Sequence, residues 1–360
     1  MVAGVANAAK QYRKLQIGKE TTYGIEVAAT RMLRILGLTW NDLGSQRQYL
    51  PDYNLGRMSM HSDVGSIIRT GLIGHVETDF SFEDVLFPLL AGFKGGVAAS
   101  AEKTVGMGDY EWVFTLDPNT GDPTPDSYTL ERGLGDGTTT WPATAPGVLV
   151  PQMEISVADD PDVTKLAYGI WGRAPNTNAL AALTPPAVFT TLPGLSWKLY
   201  FDDTWAAMDI LGAAPSYGGG AQKATTMRSF TWRRKGGINP ALYLGAGQTD
   251  PQGFKFKARG VELEMEVEFN AVVEAERVKA ATSGTKRYVR LLGEGARIGA
   301  SGYNKTILLQ GSYIYPDGGF GEIGRDADGT ETVSLRLETV ADDDTEDCEI
   351  RLINTINAFP

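Results

Sequence analysis

The stretch Val261-Glu262-Leu263-Glu264-Met265-Glu266-Val267-Glu268-Phe269 alternates without a break. Successive side chains of a strand point to opposite faces, so Val261, Leu263, Met265, Val267 and Phe269 share one face and Glu262, Glu264, Glu266 and Glu268 the other. That pattern predicts a strand with one face on a core and the other toward water. Directly after it Asn270 is suited to cap a helix. Val272, Val273, Ala275, Glu276, Val278 and Lys279 fit a helix that lies back on the sheet and ends before Gly284.

Working outward, the same order of elements occurs earlier in the chain. GHVETDFSF from Gly74 precedes the apolar run EDVLFPLLAGF. Setting Phe82 on Phe269 places Val76 on Leu263, Glu77 on Glu264, Asp79 on Glu266, Phe80 on Val267 and Val85 on Val272 without a gap. Here Asp84 is the predicted cap, and Pro88 falls in the first turn, where its missing N–H is tolerated. Upstream, one strand ends in Thr39 and Trp40 and its counterpart in Thr231 and Trp232. Long Gly-containing loops follow, over Gly44 to Ile73 and Lys235 to Ala258. A unit repeated in this way predicts a mainly β fold of two tandem β-sandwich domains, each with one flanking α-helix and a long loop. The proline-rich stretch Thr184 to Pro193 divides them, giving domains at 1–190 and 191–360.

Composition agrees. The 360 residues suit two domains, and 42% apolar with 21% charged residues is a globular balance. The 43 Gly and 18 Pro separate short segments of β-branched and aromatic residues, as in turn-rich β domains. With one cysteine, Cys348, no intrachain disulfide can form, and nothing points to an oxidising compartment. Two histidines, His61 and His75, leave little for a metal centre or a general base, so no catalytic residue, metal ligand or cofactor is assigned and an enzyme is not expected. A net charge of −11 argues against a surface that grips a phosphate backbone. MVAGVANAAK lacks the pattern of a signal peptide, and no apolar run is long enough to predict a membrane span.

Other motifs read as structure. GLGDG at Gly133 and GEGARIG at Gly293 lack the βαβ context of a dinucleotide loop and read as turns. RDADGTE at Arg325 and DDDTED at Asp342 lack the spacing of a calcium loop and read as solvated acidic turns. Most aromatics, including Phe80, Phe82, Trp112 and Phe269, fall on alternating strand positions and read as core. The four-glutamate strand keeps two readings. It is a solvated sheet face, or, because four like charges at alternate positions repel, a surface whose single sign has a purpose. Arg233, Arg234, Lys235, Lys255, Lys257 and Arg259 make the second long loop basic, against Asp250 alone. Such a loop suits an acidic cluster such as Asp342 to Asp347 on another copy.

IGKETTYG at 17–24, VAATRMLRILGLTW at 27–40 and MEISVADDPDVTKLAYGIWGR at 153–173 carry a resemblance. Together with the loop, strand and helix between them, they resemble the tail tube (major tail) proteins of long-tailed bacteriophages, of the kind with a duplicated tube domain. Ile25 stands where related sequences often have Thr, a small departure. The resemblance implies a structural virion protein, made in the host cytoplasm, whose inner sheets join into rings that stack into a tube conducting DNA. Three two-domain copies would supply six units per ring. Implied partners are further copies of itself, the tail terminator, distal tail and tape measure proteins, and double-stranded DNA in transient passage, without membrane insertion. Within that frame Glu77, Asp79, Glu262, Glu264, Glu266 and Glu268 are expected to face the lumen. Arg47, Arg57, Arg69 and the six basic residues of the second loop are expected to contact the next ring. The two long loops are expected to be flexible until that contact orders them. Another ring-forming tail component, a terminator or distal tail protein, would share the fold. A carbohydrate-binding module or hydrolase, using some of the 7 Trp and 14 Tyr, is the reading from a different class.

Overall fold

A computed structural model describes residues 12–42, 46–49, 65–116, 124–135, 140–158, 163–186, 189–204, 221–222, 227–241, 250–280, 286–316, 318–325, 329–340 and 348–360. The chain is mainly β, and its pairings between strands are antiparallel. The first half contributes β1 (Tyr12–Lys19), β2 (Arg31–Leu33), β3 (Gly37–Asp42), β4 (Gln46–Tyr49), β5 (Gly65–Arg69) and β6 (Leu72–Asp79). After a helical segment come β7 (Tyr110–Leu116), β8 (Tyr128–Gly135), β9 (Thr140–Val157) and β10 (Lys165–Gly172). The second half contributes β11 (Trp197–Asp202), β12 (Ala221–Gln222), β13 (Met227–Ala241) and β14 (Gly253–Glu268), then, after a helix, β15 (Arg287–Arg297), β16 (Asn304–Ile314), β17 (Phe320–Arg325), β18 (Glu331–Thr339) and β19 (Cys348–Asn354).

Eight of these strands form a front layer in the order β3-β6-β10-β9-β13-β14-β18-β17. The first four come from one half and the last four from the other. β9 is long enough to serve both layers: its start pairs with β8 and its end with β10 and β13. Behind the front layer, β2-β1-β8-β9 is the back sheet of the first half, and β12-β11-β15-β16-β19-β7 that of the second. The run β11-β15-β16 thus repeats β1-β8-β9. Inward side chains from both layers and both halves merge in one apolar cluster that includes Val76, Ile155, Trp232, Leu263, Leu309 and Leu352. The two sequence repeats therefore share one core. The 190/191 division falls in coil between β10 and β11, but the β9–β13 and β7–β19 pairings cross it.

The registers carry the sequence match of Val76 and Leu263 across to the neighbouring strands. Val76 pairs with Leu38 and Tyr168, and its counterpart Leu263 pairs with Trp232 and Leu337. Leu38 is thus the counterpart of Trp232, and the apparent Trp40 to Trp232 match is displaced by two residues. Neither strand ends at its Trp, since β3 continues to Asp42 and β13 to Ala241.

The helices correct several expectations. In the first half, Leu86–Pro88 opens an α-helical turn, α1, that widens into a π turn over Leu89–Phe93. Its N-cap is Val85 with no side-chain cap bond, because the Asp84 carboxylate is taken up by Arg31 Nη2 (3.0 Å) and by the Arg34 N–H (3.3 Å). In the second half α2 spans Ala271–Ala280, and Asn270 Oδ1 accepts from the Val272 and Val273 N–H groups at 2.9 and 3.1 Å, the expected cap. The two segments end at equivalent positions, Phe93 and Ala280. Only Val273 and Glu276 of the predicted inward set of α2 are buried, while Val272, Ala275 and Val278 face outward.

The Gly motifs are part strand: Asp136 and Gly137 lie outside the described residues, and Gly299, with φ 49°, lies in the turn after β15. Gly133 lies within β8, and the GEGAR run lies within β15. A Cβ on Gly293 would meet Leu192 Cδ2 at 2.6 Å, and one on Gly295 would meet the Phe82 ring at 2.6 Å. Gly295 answers close packing between the halves, and Gly293 close packing within the second half. The acidic runs at 326–328 and 341–347 and His61 lie outside the described residues.

Candidate assembly surface

The front sheet is where the two halves meet. At the β9–β13 junction Val157, Ser156, Ile155, Glu154 and Met153 pair with Phe230, Thr231, Trp232, Arg233 and Arg234 in an unbroken register. Phe230, Trp232 and Ile155 seal its inner side at 2% exposure or less. On the outer side Arg233 Nε reaches Glu154 Oε2 at 2.8 Å, and that hydrogen bond raises the arginine above its ordinary value. The junction is therefore an edge-to-edge strand pairing with an apolar inner seam and an ionic clasp outside.

The two outer edges of this sheet have no such partner strand among the described residues. β3 pairs only through β6, and β17 only through β18. Leu36, just before β3, is 55% exposed and Ile323 of β17 is 47% exposed. An open strand edge with exposed aliphatic side chains is a template for further pairing.

The outward face carries all six carboxylates singled out from sequence. Glu77 and Asp79 lie on β6, Glu262, Glu264, Glu266 and Glu268 on β14, and pairing registers place them all on the side away from the core. Sequence reasoning missed the cations that come with them. Lys165, Arg233 and Arg336 lie on the same face, as do the further carboxylates Glu154 and Glu338, which leaves eight carboxylates against three cations among these residues. Glu262 is 3% exposed, with Arg336 Nε at 2.6 Å and Arg233 Nη1 at 3.6 Å. Its charge, then its hydrogen bond, raises Arg336 above the ordinary guanidinium value. Asp79 accepts from Lys165 Nζ at 2.7 Å and Arg34 Nη2 at 3.4 Å. The C-terminal part of β14, from Glu262 to Glu268, is of a single sign, but among these residues the face is mixed and net acidic. His75, on the same face, lies 3.4 Å from Glu77.

The basic positions distribute differently from the expectation. Arg233 and Arg234 belong to β13, and Arg234 is 1% exposed, with its guanidinium over the Phe93 ring at 5.8 Å and Nη1 3.5 Å from Val150 O. It is a core residue joining the halves, so the loop-contact expectation does not hold for it. Lys235, Lys255, Lys257 and Arg259 lie on the continuous β13–β14 ribbon, where Lys235 pairs with Gly260 and Lys255 with Asn239. Within the segment read as the second long loop, 235–241 and 253–258 are thus strand, and the alternation Phe254-Lys255-Phe256-Lys257 carried that signal. In the first half Arg47 (β4) and Arg69 (β5) lie on a paired ribbon, and Arg57 lies outside the described residues.

At the base of these ribbons Thr70, Ile73, Ile170, Trp171, Ile238 and Pro240 help to line a shallow groove of about 260 Å³. Among the described residues no group of three or more His, Cys, Asp and Glu side chains is placed to hold a metal ion, and no helix is long and apolar enough to cross a membrane. No family model matches the chain, and no curated protein matches it.

Proposed function

We propose that this chain is a structural subunit of a phage tail tube, which forms rings of three copies that stack into a channel for DNA. The observation that carries the reading is the internal junction. Two equivalent four-strand units, β3-β6-β10-β9 and β13-β14-β18-β17, already stand edge to edge through β9 and β13. The same operation repeated would set β17 of one copy against β3 of the next. Heterologous contacts of this kind close into a ring when the rotation allows and remove both open edges. The register follows from the equivalence. Ile155 opposes Leu166 and Trp232, and their counterparts are Phe320, Leu335 and Leu38, so Phe320 of one copy would oppose Leu38 of its neighbour.

The net-acidic outward face supports the channel reading. A wall lined by carboxylates does not neutralise phosphates, so it gains no counterion-release affinity for passing DNA. Within the Debye length, about 8 to 10 Å at physiological salt, it repels the duplex. Electron microscopy of the purified protein at increasing concentration tests the proposal. Stacked rings with three copies each are expected, whereas isolated single rings favour a terminator or distal tail role. A chain that remains monomeric refutes the assembly reading.

A further inference from the structure

The loop from Glu102 to Asp109 is braced from within and apolar at its tip. The Glu102 carboxylate accepts from the Gly106 N–H, from the Gly108 N–H at 3.1 Å and from the Tyr110 hydroxyl at 3.0 Å. Asp109 Oδ1 accepts from the Thr104 N–H at 2.9 Å, and the Met107 N–H donates to Thr104 O at 3.0 Å. Held in this way, the loop presents Val105 at 91% and Met107 at 41% exposure. A loop already fixed gives up little further freedom when it docks.

The groove of about 260 Å³ at the base of the ribbons is its complement. Ile73, Ile170, Trp171, Ile238, Pro240 and Pro251 make its lining largely apolar, and none of the lining residues is charged, in a chain where 21% are. The segment Thr104 to Gly108 is uncharged as well. A closed cavity of about 150 Å³ admits benzene, so this groove has room for two aliphatic side chains. Trp171 is buried, and its indole N–H meets no acceptor among the described residues. The main-chain carbonyls of an entering loop supply one.

Loop and groove lie at opposite ends of the strands. The groove takes in the start of β6 and the end of β10, with Leu72 and Ile170 from the inner face and Ile73 and Trp171 from the outer, so it opens at the end of the sheet. From there β6 runs eight residues, about 25 Å, to Asp79. The loop stands beyond that far end: it leads into β7, where Tyr110 pairs with Asn354, and Asn354 Nδ2 donates to Phe82 O at 2.8 Å. A copy does not fill its own groove.

We infer that the Val105 and Met107 tip of one copy docks in the Trp171 groove of a second copy, end to end along the strands. The contact is heterologous, so each docked pair keeps one free tip and one free groove, and the contact repeats. Ring closure through β17 and β3 runs across the strands, which leaves a contact along them for stacking. The inference rests on the tube reading above and names what joins one ring to the next.

The test uses the full chain with Val105→Asp and Met107→Asp together. Both side chains are exposed and neither braces the loop, so circular dichroism and thermal midpoint should match the wild type. Rings should still form, but the concentration needed for half-stacking should rise at least about tenfold, because the carboxylates would enter an apolar site. In a second arm, Val105→Cys copies are mixed with Ile73→Cys copies and treated with a short bismaleimide. The native Cys348 is buried and does not compete. Crosslinks between copies in the mixture, absent from either preparation alone, are expected. Wild-type-like stacking of the Asp variant, or stacks whose mixture does not crosslink, overturns this inference while leaving the ring reading intact. Filaments that crosslink in the mixture without forming rings uphold the groove contact and overturn the ring reading. A wild-type chain that never assembles overturns both.

Discussion

Replacing Lys305 with Met probes the clasp between the halves. Glu83 of the first half and Lys305 of the second are 6% and 8% exposed, and their ion pair is joined by Thr190 Oγ1, 2.6 Å from the ammonium. Burial pushes the Glu83 carboxyl up. Lys305, the Thr190 N–H and the Ser81 hydroxyl outweigh it and hold the group below its ordinary value. Removing one partner of a buried pair costs about 3 to 5 kcal/mol. The low end, about 3 kcal/mol, is expected because the Thr190 N–H at 3.0 Å and Ser81 Oγ at 2.8 Å still donate to the carboxylate. The pH dependence has a definite sign. In the wild type the Glu83 contribution is fully present above the ordinary carboxylate value and is lost as pH falls through the lowered one. In the variant, burial is less opposed, so the carboxyl titrates higher and protonation relieves the stranded charge as pH falls. The gap between the proteins should therefore be widest near neutrality and narrow toward pH about 4.5, close to the ordinary glutamate value. Urea unfolding at both pH values measures it, and Glu83→Gln with Lys305→Met should recover part of the loss. A loss under about 1 kcal/mol at neutral pH, the range of exposed pairs, would refute the reasoning, as would a loss that does not change with pH.

Asn270→Ala removes the acceptor of two N–H groups at the start of α2 and should cost about 1 kcal/mol, read from the thermal midpoint and from faster amide exchange at Val272 and Val273. Gly295→Ala should destabilise by about 1 to 3 kcal/mol, since the new methyl would lie 2.6 Å from the Phe82 ring; an unchanged unfolding midpoint would contradict that packing. Under the proposed function, Glu264, Glu266 and Glu268 changed together to Lys should leave a folded subunit, because all three are partly exposed, but slow DNA release from particles, with a steeper salt dependence. Glu262 is left out of that set because it is buried beneath Arg233 and Arg336, so its loss tests stability rather than the channel.

Several elements were legible because their signal is local. The alternation from Val261 to Phe269 sets which side chains face the core, since the strand period is two, and β14 buries Val261, Leu263, Met265 and Val267 at 3% exposure or less. Asn270 was legible as a cap because a cap acts within three residues. The strands that carry the gap-free match of Val76 on Leu263, β6 and β14, take equivalent places in the sheet, each between two strands of the front layer. The displaced Trp pair shows the limit: Trp40 and Trp232 have the same face parity, and parity cannot detect a shift of two residues. The α2 helix was misread because Val272 and Val278 count as core to any periodicity argument, whereas Arg287 reached from β15 to draw Glu276 inward.

The sequence by itself determined the β class, the duplication, the face on which each strand residue lies and the absence of an evident catalytic or metal motif, because composition and period-two patterning act through neighbours along the chain. Only the tertiary structure decided that the two repeats share one core, that β9 and β13 make them one continuous sheet, that the acidic strand sits among Lys165, Arg233 and Arg336, and that Arg234 is core rather than loop. The physical reason is the same in each case. Which strand lies beside which, and which charge answers which, depends on residues up to 272 positions apart in the chain meeting in space, and no local pattern encodes that meeting.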